Sequence, residues 1–239
     1  MTSLSKLPTF KSVLNSFSGR FNPPQIFSDF LEMTICALSM QQEEERYLEI
    51  AAKYDKQELN KFAEALAAMI SEMGDLHNGF SDPLGDYFQE YITHGHNGQF
   101  FTPLPITELL ARITIPGPTK FQKILDPAAG SARTLLYAAA IIGPHNYFYA
   151  ADNDRNCAMM AAINLCFHGL PGEAACMNSL SNEYYFGWKI ETFPLPHLSK
   201  ITEAQSYILL REIKKTEFKE NDFADNVTII DSGEQLSLF

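Results

Sequence analysis

The segment 126–131, which reads Asp-Pro-Ala-Ala-Gly-Ser, carries the residue types in this chain that are best suited to chemistry. It follows a short apolar run at 121–125 and precedes an alanine-rich stretch at 132–140, a pattern that predicts a strand, a tight turn and a helix. In an α/β sheet this arrangement presents a nucleotide-like ligand at the carboxyl end of the strand. Gly130 would let the backbone approach the ligand closely, and the Asp126 carboxylate favours a ligand with a positive end over a pyrophosphate.

Two further predicted strands also end in polar residues. The aromatic run at 147–151 ends at Asp152, and the run at 172–177 ends at Asn178. Asp152 lies 22 residues beyond Gly130, which is the offset at which a second-strand carboxylate can bind ribose hydroxyls. Because parallel strands end at one edge of a sheet, the sequence predicts that these side chains converge on an adenosine-type pocket.

Three motifs in order resemble those of a known family. The segment 98–103 reads Gly-Gln-Phe-Phe-Thr-Pro, the turn 126–131 follows it, and 161–170 reads Ala-Ala-Ile-Asn-Leu-Cys-Phe-His-Gly-Leu. Over about residues 75–180 the chain is similar to N6-adenine DNA methyltransferases, in particular the modification subunit of type I restriction systems and small "N-6 DNA methylase" proteins of mobile elements. The resemblance implies a Rossmann-like α/β core that binds S-adenosylmethionine.

The resemblance also implies roles for particular side chains. Thr102 would meet the methionine carboxylate, Asp126 its ammonium group, Asp152 the ribose and Asn178 the adenine edge. Ala132 stands where the family often has a third glycine, and we expect tighter packing there without loss of binding. The full set of implied cofactor-binding residues is Phe101, Thr102, Asp126, Pro127, Ala128, Gly130, Ser131, Asp152, Asn153 and Asn178.

The tetrapeptide that the family uses for transfer is missing from its expected place. An Asn-Pro-Pro-aromatic or Asp-Pro-Pro-aromatic sequence should follow the third strand, where it would orient the amino group and stack on a flipped adenine. Residues 181–200 contain no Pro-Pro pair. We therefore expect a cofactor-binding protein that is catalytically incomplete alone; a working enzyme with an unusual catalytic loop from residues 181–197 is the alternative.

The Pro-Pro pair of this chain lies near the amino terminus, at Asn22-Pro23-Pro24-Gln25. It could be a permuted catalytic loop, but Gln25 stands where the stacking aromatic belongs and no strand-like run leads into Asn22. Asn22 as a cap with prolines in the first turn instead predicts the start of a helix.

Composition is that of an ordinary globular protein with an acidic surface. The 239 residues are 46% hydrophobic and carry a net charge of −11, which argues against a large nonspecific DNA surface. DNA contact is therefore expected directly only through a local patch, or through a partner subunit. The four cysteines lack metal-ligand spacing and predict buried thiols in a reducing compartment. Residues 1–22 lack the apolar core of a signal peptide and no apolar run reaches membrane-spanning length, so we expect a cytoplasmic protein without membrane contact.

Domain organisation follows from changes in pattern along the chain. We expect an N-terminal helical region at 1–95, a methyltransferase-like α/β domain at 96–216 and a flexible acidic tail at 217–239. The helical region would serve as a lid on the sheet or contribute contacts to DNA and partner subunits. Helical spacing of apolar residues predicts helices at 25–40, 43–54 and 57–73, a fourth from Asp82 and a late one at 202–215.

Histidine and aromatic residues outside the three motifs have both structural and functional interpretations. His94-Gly95-His96 has no accompanying ligands, so we expect no metal site. His168 is expected to interact with the last carbonyls of a helix. The cluster after the third strand would form core or an edge strand, or else stack on a base; it comprises Tyr184, Tyr185, Phe186 and Trp188.

The last five residues, Gln-Leu-Ser-Leu-Phe, resemble the peptide with which many bacterial DNA-processing proteins dock on the replication sliding clamp. In that interpretation the protein is a non-enzymatic adaptor, and Gln235, Leu236, Leu238 and Phe239 bind the clamp. The alternative is a tail that folds back on the protein's own core.

Overall fold

The computed structural model describes residues 8–17, 19–75, 79–93, 102, 104–115, 117–209 and 237–238. It has a mixed α/β architecture, with several helices preceding a mostly parallel sheet, which confirms the predicted fold class. Predicted sites at His94-Gly95-His96, Phe101, Gln235, Leu236 and Phe239 lie outside the described residues.

The amino-terminal region contains the helices α1 (Phe10–Leu14), α2 (Pro23–Leu38), α3 (Glu44–Ala51) and α4 (Lys56–Met73). All four bury apolar residues, and α1, α2 and α4 begin at a side chain that caps the first turn. In α2 the Asn22 side chain accepts a hydrogen bond of 2.8 Å from the Gln25 amide, and the prolines occupy the first turn, which confirms the predicted helix start. Asp55 and Glu58 form a capping box at the start of α4.

A short connection leads from these helices to the α/β part. Strands β1 (Gly74–Asp75) and β2 (Gly79–Phe80) form an antiparallel pair. Helix α5 (Pro83–Tyr87) follows with Asp82 as its cap and continues into a π-helical turn, Phe88–Thr93. Asp82 thus begins a helix, as the sequence predicts.

The strands of the central sheet are β3 (Lys123–Asp126), β4 (Tyr147–Asp152), β5 (Gly172–Asn178), β6 (Glu183–Glu191), β7 (His197–Ile201) and β8 (Ser237–Leu238). Their order in the sheet is β7-β6-β5-β4-β3-β8. Strands β3, β4 and β5 are parallel neighbours, whereas β6 and β7 are antiparallel and extend the sheet beyond β5. On the other side of β3 the two-residue β8 pairs in parallel.

Helix α7 (Arg133–Ile142) connects β3 to β4, and α8 (Arg155–Phe167) connects β4 to β5. Helix α6 (Leu104–Thr114) precedes β3 and packs against α7. Helix α8 is buried on almost every side, because it lies between α2 and the strands β4 and β5. One continuous apolar core joins the two parts of the chain and includes Phe30 of α2, Leu135 of α7 and Ile163 of α8.

Two boundaries differ from the sequence-based expectation. Strand β3 begins at Lys123, not at 121, because Phe121 adopts a left-handed conformation with φ of 61°. Residues Glu203–Gln205 form a short 3-10 turn and residues 207–209 are helical, while the rest of the predicted helix at 202–215 lies outside the described part of the chain.

A buried polar network fixes the helical part to the turn after β3. The Asp82 side chain, with no exposed surface, accepts hydrogen bonds from Arg133 Nε (2.9 Å), Ser131 Oγ (2.5 Å) and Asn164 Nδ2 (3.0 Å). Asn164 Nδ2 also donates to the Ser131 carbonyl at 2.8 Å. Since a buried charge is tolerated only when it is paired and hydrogen-bonded, this network holds three chain segments in one arrangement.

We predict that Asp82→Ala lowers the free energy of unfolding by about 3–5 kcal/mol, because it leaves the Arg133 guanidinium buried without Asp82. Asp86→Ala is the matched control. Its carboxylate contacts the same guanidinium at 2.7 Å but its side chain is 59% exposed, so a loss within about 1 kcal/mol is expected. Urea denaturation of the two variants measures the difference, and equal losses would contradict the role given to Asp82.

Candidate cofactor site

The ends of three neighbouring parallel strands bring Asp126, Asp152 and Asn178 to one edge of the sheet. The register pairs Asp126 with Ala150, and Asp152 with Cys176, so each strand extends two residues beyond the one before it. The tips of β3, β4 and β5 therefore form a staggered polar row at the carboxyl edge, where open α/β sheets bind ligands.

Asp126 lies deepest in this row and is 4% exposed. One carboxylate oxygen accepts a 3.0 Å hydrogen bond from the Ala128 amide and the other accepts one from the Thr134 hydroxyl. Burial raises the pKa of Asp126, and the nearby charge of Asp152 raises it further, against the lowering effect of the two hydrogen bonds. Its ionised form is thus destabilised in the ligand-free protein.

Asp152 is half-buried and orders the turn from the neighbouring strand. Its carboxylate accepts hydrogen bonds from the amides of Gly130 (2.8 Å) and Asp154 (2.9 Å). Burial raises the pKa of Asp152, although these backbone donors oppose the shift. Each carboxylate retains lone pairs for a further donor, since a carboxylate can accept about four hydrogen bonds.

The turn between β3 and α7 depends on two residues in the left-handed region. Gly130 has φ of 56° and Ala132 has φ of 67°. Glycine adopts this conformation freely, whereas the Cβ of alanine makes it cost roughly 1–2 kcal/mol. Ala132 is completely buried, so its methyl group packs in the core at the position where the family often has glycine.

The remaining predicted residues are placed as follows. Ser131 is buried and donates to Asp82, so its hydroxyl supports the turn from behind. Asn153 and Ala128 are exposed, and the Pro127 carbonyl accepts from Ser179 Oγ at 2.7 Å. The Asn178 side-chain oxygen accepts hydrogen bonds from the amides at 180 and 181 at 3.0 and 3.2 Å.

The described contact of Thr102 is with α6 and not with the strand tips at Asp126, Asp152 and Asn178. Thr102 is half-buried, and its carbonyl accepts a hydrogen bond of 3.2 Å from the Thr107 hydroxyl at the start of α6. No hydrogen bond between described residues joins it to Asp126 or Asp152. Its implied contact with a methionine carboxylate stays a prediction.

The aromatic cluster lies on β6. Trp188 is buried and its ring centroid is 5.3 Å from that of Phe186, while Tyr185 is 47% exposed and the Tyr184 hydroxyl donates to the Ile201 carbonyl. Phe186 and Trp188 line a cleft of about 280 Å³ between β6, α2 and α8, beside Arg155 and the Glu32 carboxylate that binds it. The cluster is therefore part of a strand and its packing, as one of the two interpretations predicts.

Several other expectations are also answered by the described residues. All four cysteines are buried and free, as predicted. His168 caps α8 and its Nδ1 lies 2.8 Å from the Asn164 carbonyl, which confirms the predicted contact with the end of a helix. Among the residues with described positions there is no cluster of three or more potential metal ligands, and no helix is both long and apolar enough to cross a bilayer.

The carboxyl-terminal strand β8 contains Leu238, one of the predicted clamp-binding residues. Ser237 and Leu238 pair in parallel with Ile124 and Leu125 of β3. The tail thus folds back on the sheet at these two residues, in agreement with the alternative to clamp docking.

Sequence analysis missed the residues that hold the site from behind, namely Asp82, Arg133, Thr134 and Asn164. One signal was available: Asn164 is the polar exception within the buried, otherwise apolar run 157–166 of α8. A polar side chain in such a helix needs buried partners, and this predicts a hydrogen-bond network at that depth.

The arrangement suits a cationic ligand that also carries hydroxyl groups. Within the described part of the chain neither Asp126 nor Asp152 forms an ion pair, although both are largely removed from water. A positive group near them would offset the cost of their ionisation, and hydroxyl groups would donate to their remaining lone pairs. The staggered row therefore fits the ammonium, ribose and adenine groups of S-adenosylmethionine better than it fits an anion.

Comparison with known proteins agrees with the motifs. Residues 81–189 match the family model for N-6 DNA Methylase. The methylase subunit of the type I restriction enzyme MjaVII from Methanocaldococcus jannaschii is 27% identical over 119 residues, which are 46% of this chain and 20% of that protein. The chain thus spans about a fifth of the length of this curated relative.

Two solved structures are similar to parts of the chain, with TM-scores too low to support an argument about fold or function. The type I restriction-modification methyltransferase subunit from Streptococcus thermophilus has a TM-score of 0.37 and 16% identity, with coverage of 71% of this chain and 40% of its own. A class I S-adenosylmethionine-dependent methyltransferase from Listeria monocytogenes has a TM-score of 0.37 and 18% identity, with coverage of 61% and 51%. The match at 81–189 spans the turn after β3 and its supporting network, and over these residues the chain is similar to the N-6 DNA methylase family.

Proposed function

We propose that this chain is an S-adenosylmethionine-binding protein of the N6-adenine DNA methyltransferase type that does not complete methyl transfer alone. The observation that carries the proposal is the pair of carboxylates at neighbouring strand tips, Asp126 and Asp152, which are shielded from water and form no ion pair with any described residue. The family match over residues 81–189 independently supports the methyltransferase type, and the absence of a Pro-Pro pair from 181–200 supports the incompleteness.

Each part of the cofactor has a candidate partner in the staggered row. The Asp152 carboxylate would accept hydrogen bonds from the ribose hydroxyls, and the amide nitrogen of Asn178 would donate to the adenine edge, since its oxygen is already engaged by the turn. Asp126 would accept from the ammonium group. Because Asp126 is 4% exposed, that contact requires a local rearrangement in which the Thr134 hydroxyl gives up its oxygen.

The segment after β5 is unsuited to hold a transfer tetrapeptide. Residues Glu183–Glu191 form β6, which runs antiparallel to β5 and so leads away from the cofactor edge. Its register pairs Ile190 with Gly172, at the opposite edge of the sheet. The turn 192–196 is therefore remote from the proposed cofactor, so within 181–197 a catalytic loop could be drawn only from the residues next to the turn between β5 and β6.

A chain that does not complete methyl transfer alone needs a partner to act on DNA. Methyl transfer to adenine in DNA would require a second polypeptide that supplies the groups orienting the amine and stacking on the base. With a net charge of −11 this chain lacks the cationic surface of a nonspecific DNA binder, so the partner would also supply much of the phosphate contact.

Clamp docking is the less favoured alternative. A docking peptide must be free to enter an apolar groove on the clamp, but Ser237 and Leu238 pair with β3. Binding to the clamp would have to break this pairing.

Titration calorimetry tests the cofactor assignment. We expect the full chain to bind S-adenosylmethionine and Asp152→Ala to weaken the affinity by about tenfold or more, because a charge-assisted hydrogen bond contributes roughly 1.5–3 kcal/mol. Glu183→Ala is the control, since this exposed carboxylate starts β6 at the same edge and should leave the affinity unchanged. If the wild-type chain does not bind S-adenosylmethionine, or if the two substitutions change its affinity equally, the proposal is wrong.

A methylation assay tests the incompleteness. With radiolabelled S-adenosylmethionine and adenine-containing DNA, we expect this chain alone to give no N6-methyladenine above background. Incorporation that disappears in the Asp152→Ala variant would mean that the chain itself completes the transfer site.

Binding should also depend on pH in a defined direction. Burial raises the pKa values of Asp126 and Asp152 above the ordinary 3.8, and the cation needs both groups ionised. In the ligand-free protein these raised pKa values contribute stability at low pH that is lost as pH rises through them. We therefore expect the cofactor affinity to fall as the pH is lowered from neutral through the raised pKa values of these two carboxyl groups, more steeply in the wild type than in Asp126→Asn. Titration calorimetry at a series of pH values measures this affinity, and an affinity that does not change with pH would contradict the prediction.

A further inference from the structure

The cleft on the α8 side of the sheet combines an apolar lining with several charged side chains. Its volume of about 280 Å³ is near the lower end of the range for ligand pockets, so it has room for one small ligand. The apolar part of its lining consists mainly of buried side chains from α2, α8 and β6: Ile35, Cys36, Met159 and Trp188.

Three cationic side chains line this cleft together with two carboxylates, which leaves one positive charge in excess. The cations are 43%, 55% and 63% exposed and come from α3, α8 and β7: Arg46, Arg155 and Lys200. The carboxylates are Glu32, which both arginines bind, and Glu43, which lies 3.4 Å from Lys200. Glu49 also contacts Arg46 but is 58% exposed and lies outside the lining. In a chain whose net charge is −11, this lining favours an anion.

Arg155 retains hydrogen-bond donors for such an anion. Its described hydrogen bond goes to the Glu32 carboxylate, which also accepts from Arg46 Nε at 2.8 Å and from Arg46 Nη2 at 2.6 Å. A guanidinium has five N–H donors in a planar fork, so Arg155 has donors beyond the one that Glu32 binds. A phosphate group has several acceptor oxygens and can therefore accept from Arg155 and from a neighbouring cation together.

The aromatic part of the lining suits a flat ring. The ring centroids of Phe186 and Trp188 are 5.3 Å apart, and the Arg155 guanidinium lies 5.7 Å from the Phe186 centroid. Nucleobases stack on aromatic rings and on guanidinium planes alike. Trp188 is only 7% exposed, and no described residue accepts a hydrogen bond from its indole N–H. Because a buried indole N–H usually has an acceptor, the polar edge of a base in the cleft would supply one.

From these features we propose that the cleft binds a nucleotide, with its base stacked at Phe186 and its phosphate group at Arg155. A free mononucleotide and a nucleotide within a DNA strand share this chemistry. The site is separate from the proposed cofactor edge, because the register places Phe186 beside Cys176 and Cys176 beside Asp152, two strand spacings or roughly 10 Å in all. S-adenosylmethionine carries no phosphate, and nucleotide binding here does not depend on it.

Tryptophan fluorescence of the full chain tests the proposal, because Trp188 is the single tryptophan and lines the cleft. We expect deoxyadenosine 5′-monophosphate to change its emission saturably. Deoxyadenosine, which lacks the phosphate, should bind about tenfold more weakly or worse, since it forms no charge-assisted hydrogen bonds with the cations. An emission that stays constant up to about 10 mM nucleotide contradicts the proposal, as do equal affinities for the two ligands.

Substitution of Arg155 tests the phosphate contact. Arg155→Gln should weaken binding of the monophosphate about tenfold or more and leave the affinity for deoxyadenosine within about twofold. Arg112→Gln is the matched control, because Arg112 is 67% exposed on α6 and lies outside the lining, and it should change neither affinity. If Arg155→Gln weakens both ligands equally, the phosphate contact is wrong. Far-ultraviolet circular dichroism checks that the variants are folded.

Asp152→Ala separates this site from the proposed cofactor site. The variant should bind the monophosphate as the wild type does, and a loss of binding would place the nucleotide at the cofactor edge and overturn the proposal. Nucleotide binding by a chain that does not bind S-adenosylmethionine would leave this proposal standing and remove the cofactor assignment alone.

A single-stranded oligodeoxyadenylate distinguishes the two sources of the nucleotide. Tighter binding of the oligonucleotide than of the monophosphate, with a steeper loss of affinity as salt is added, would support the cleft and assign it to a DNA strand. Binding of the monophosphate at least as tightly as the oligonucleotide would support the cleft and assign it to the free nucleotide.

Discussion

The buried ion pair between Asp82 and Arg133 is the constraint on which the rest of the structure depends. Asp82 caps α5 and Arg133 begins α7, so the pair joins the helical region to the turn that follows β3. Removing two charges from water is costly, and the cost is met only if both charges and their neighbours keep their geometry. Ser131 and Asn164 add hydrogen bonds that fix this geometry, and the turn therefore has one position relative to the strand tips.

The strand order shows which part of a doubly wound sheet the described residues form. The strands β3, β4 and β5 succeed one another outward from the centre, which is half of a doubly wound arrangement. In such a sheet the second half continues on the other side of the first strand, and the ligand lies at that switch point. In the described part of this chain only β8 occupies that side. The proposed cofactor edge therefore lies beside the switch point, where β3 separates β4 from β8.

Much of this arrangement could be predicted from the sequence because the signals were local. The boundaries of α8 and the caps at Asn22 and Asp55 follow from spacing and side-chain chemistry within a few residues. The Asp82 network could not be predicted, because its members are up to 82 residues apart and only the fold brings them together. Likewise, the left-handed Phe121 and the outward apolar face of α6 depend on neighbours that periodicity does not specify.

The most direct measurement of the central claim is a crystal structure of the full chain soaked with S-adenosylmethionine. The account predicts ribose hydroxyls within hydrogen-bonding distance, about 3 Å, of the Asp152 carboxylate and the ammonium group at Asp126, with the Thr134 hydroxyl displaced. Adenine should lie against the end of β5 near Asn178. A ligand bound elsewhere, or an Asp126 that keeps its bond to Thr134 while the cofactor occupies another cleft, would contradict the account.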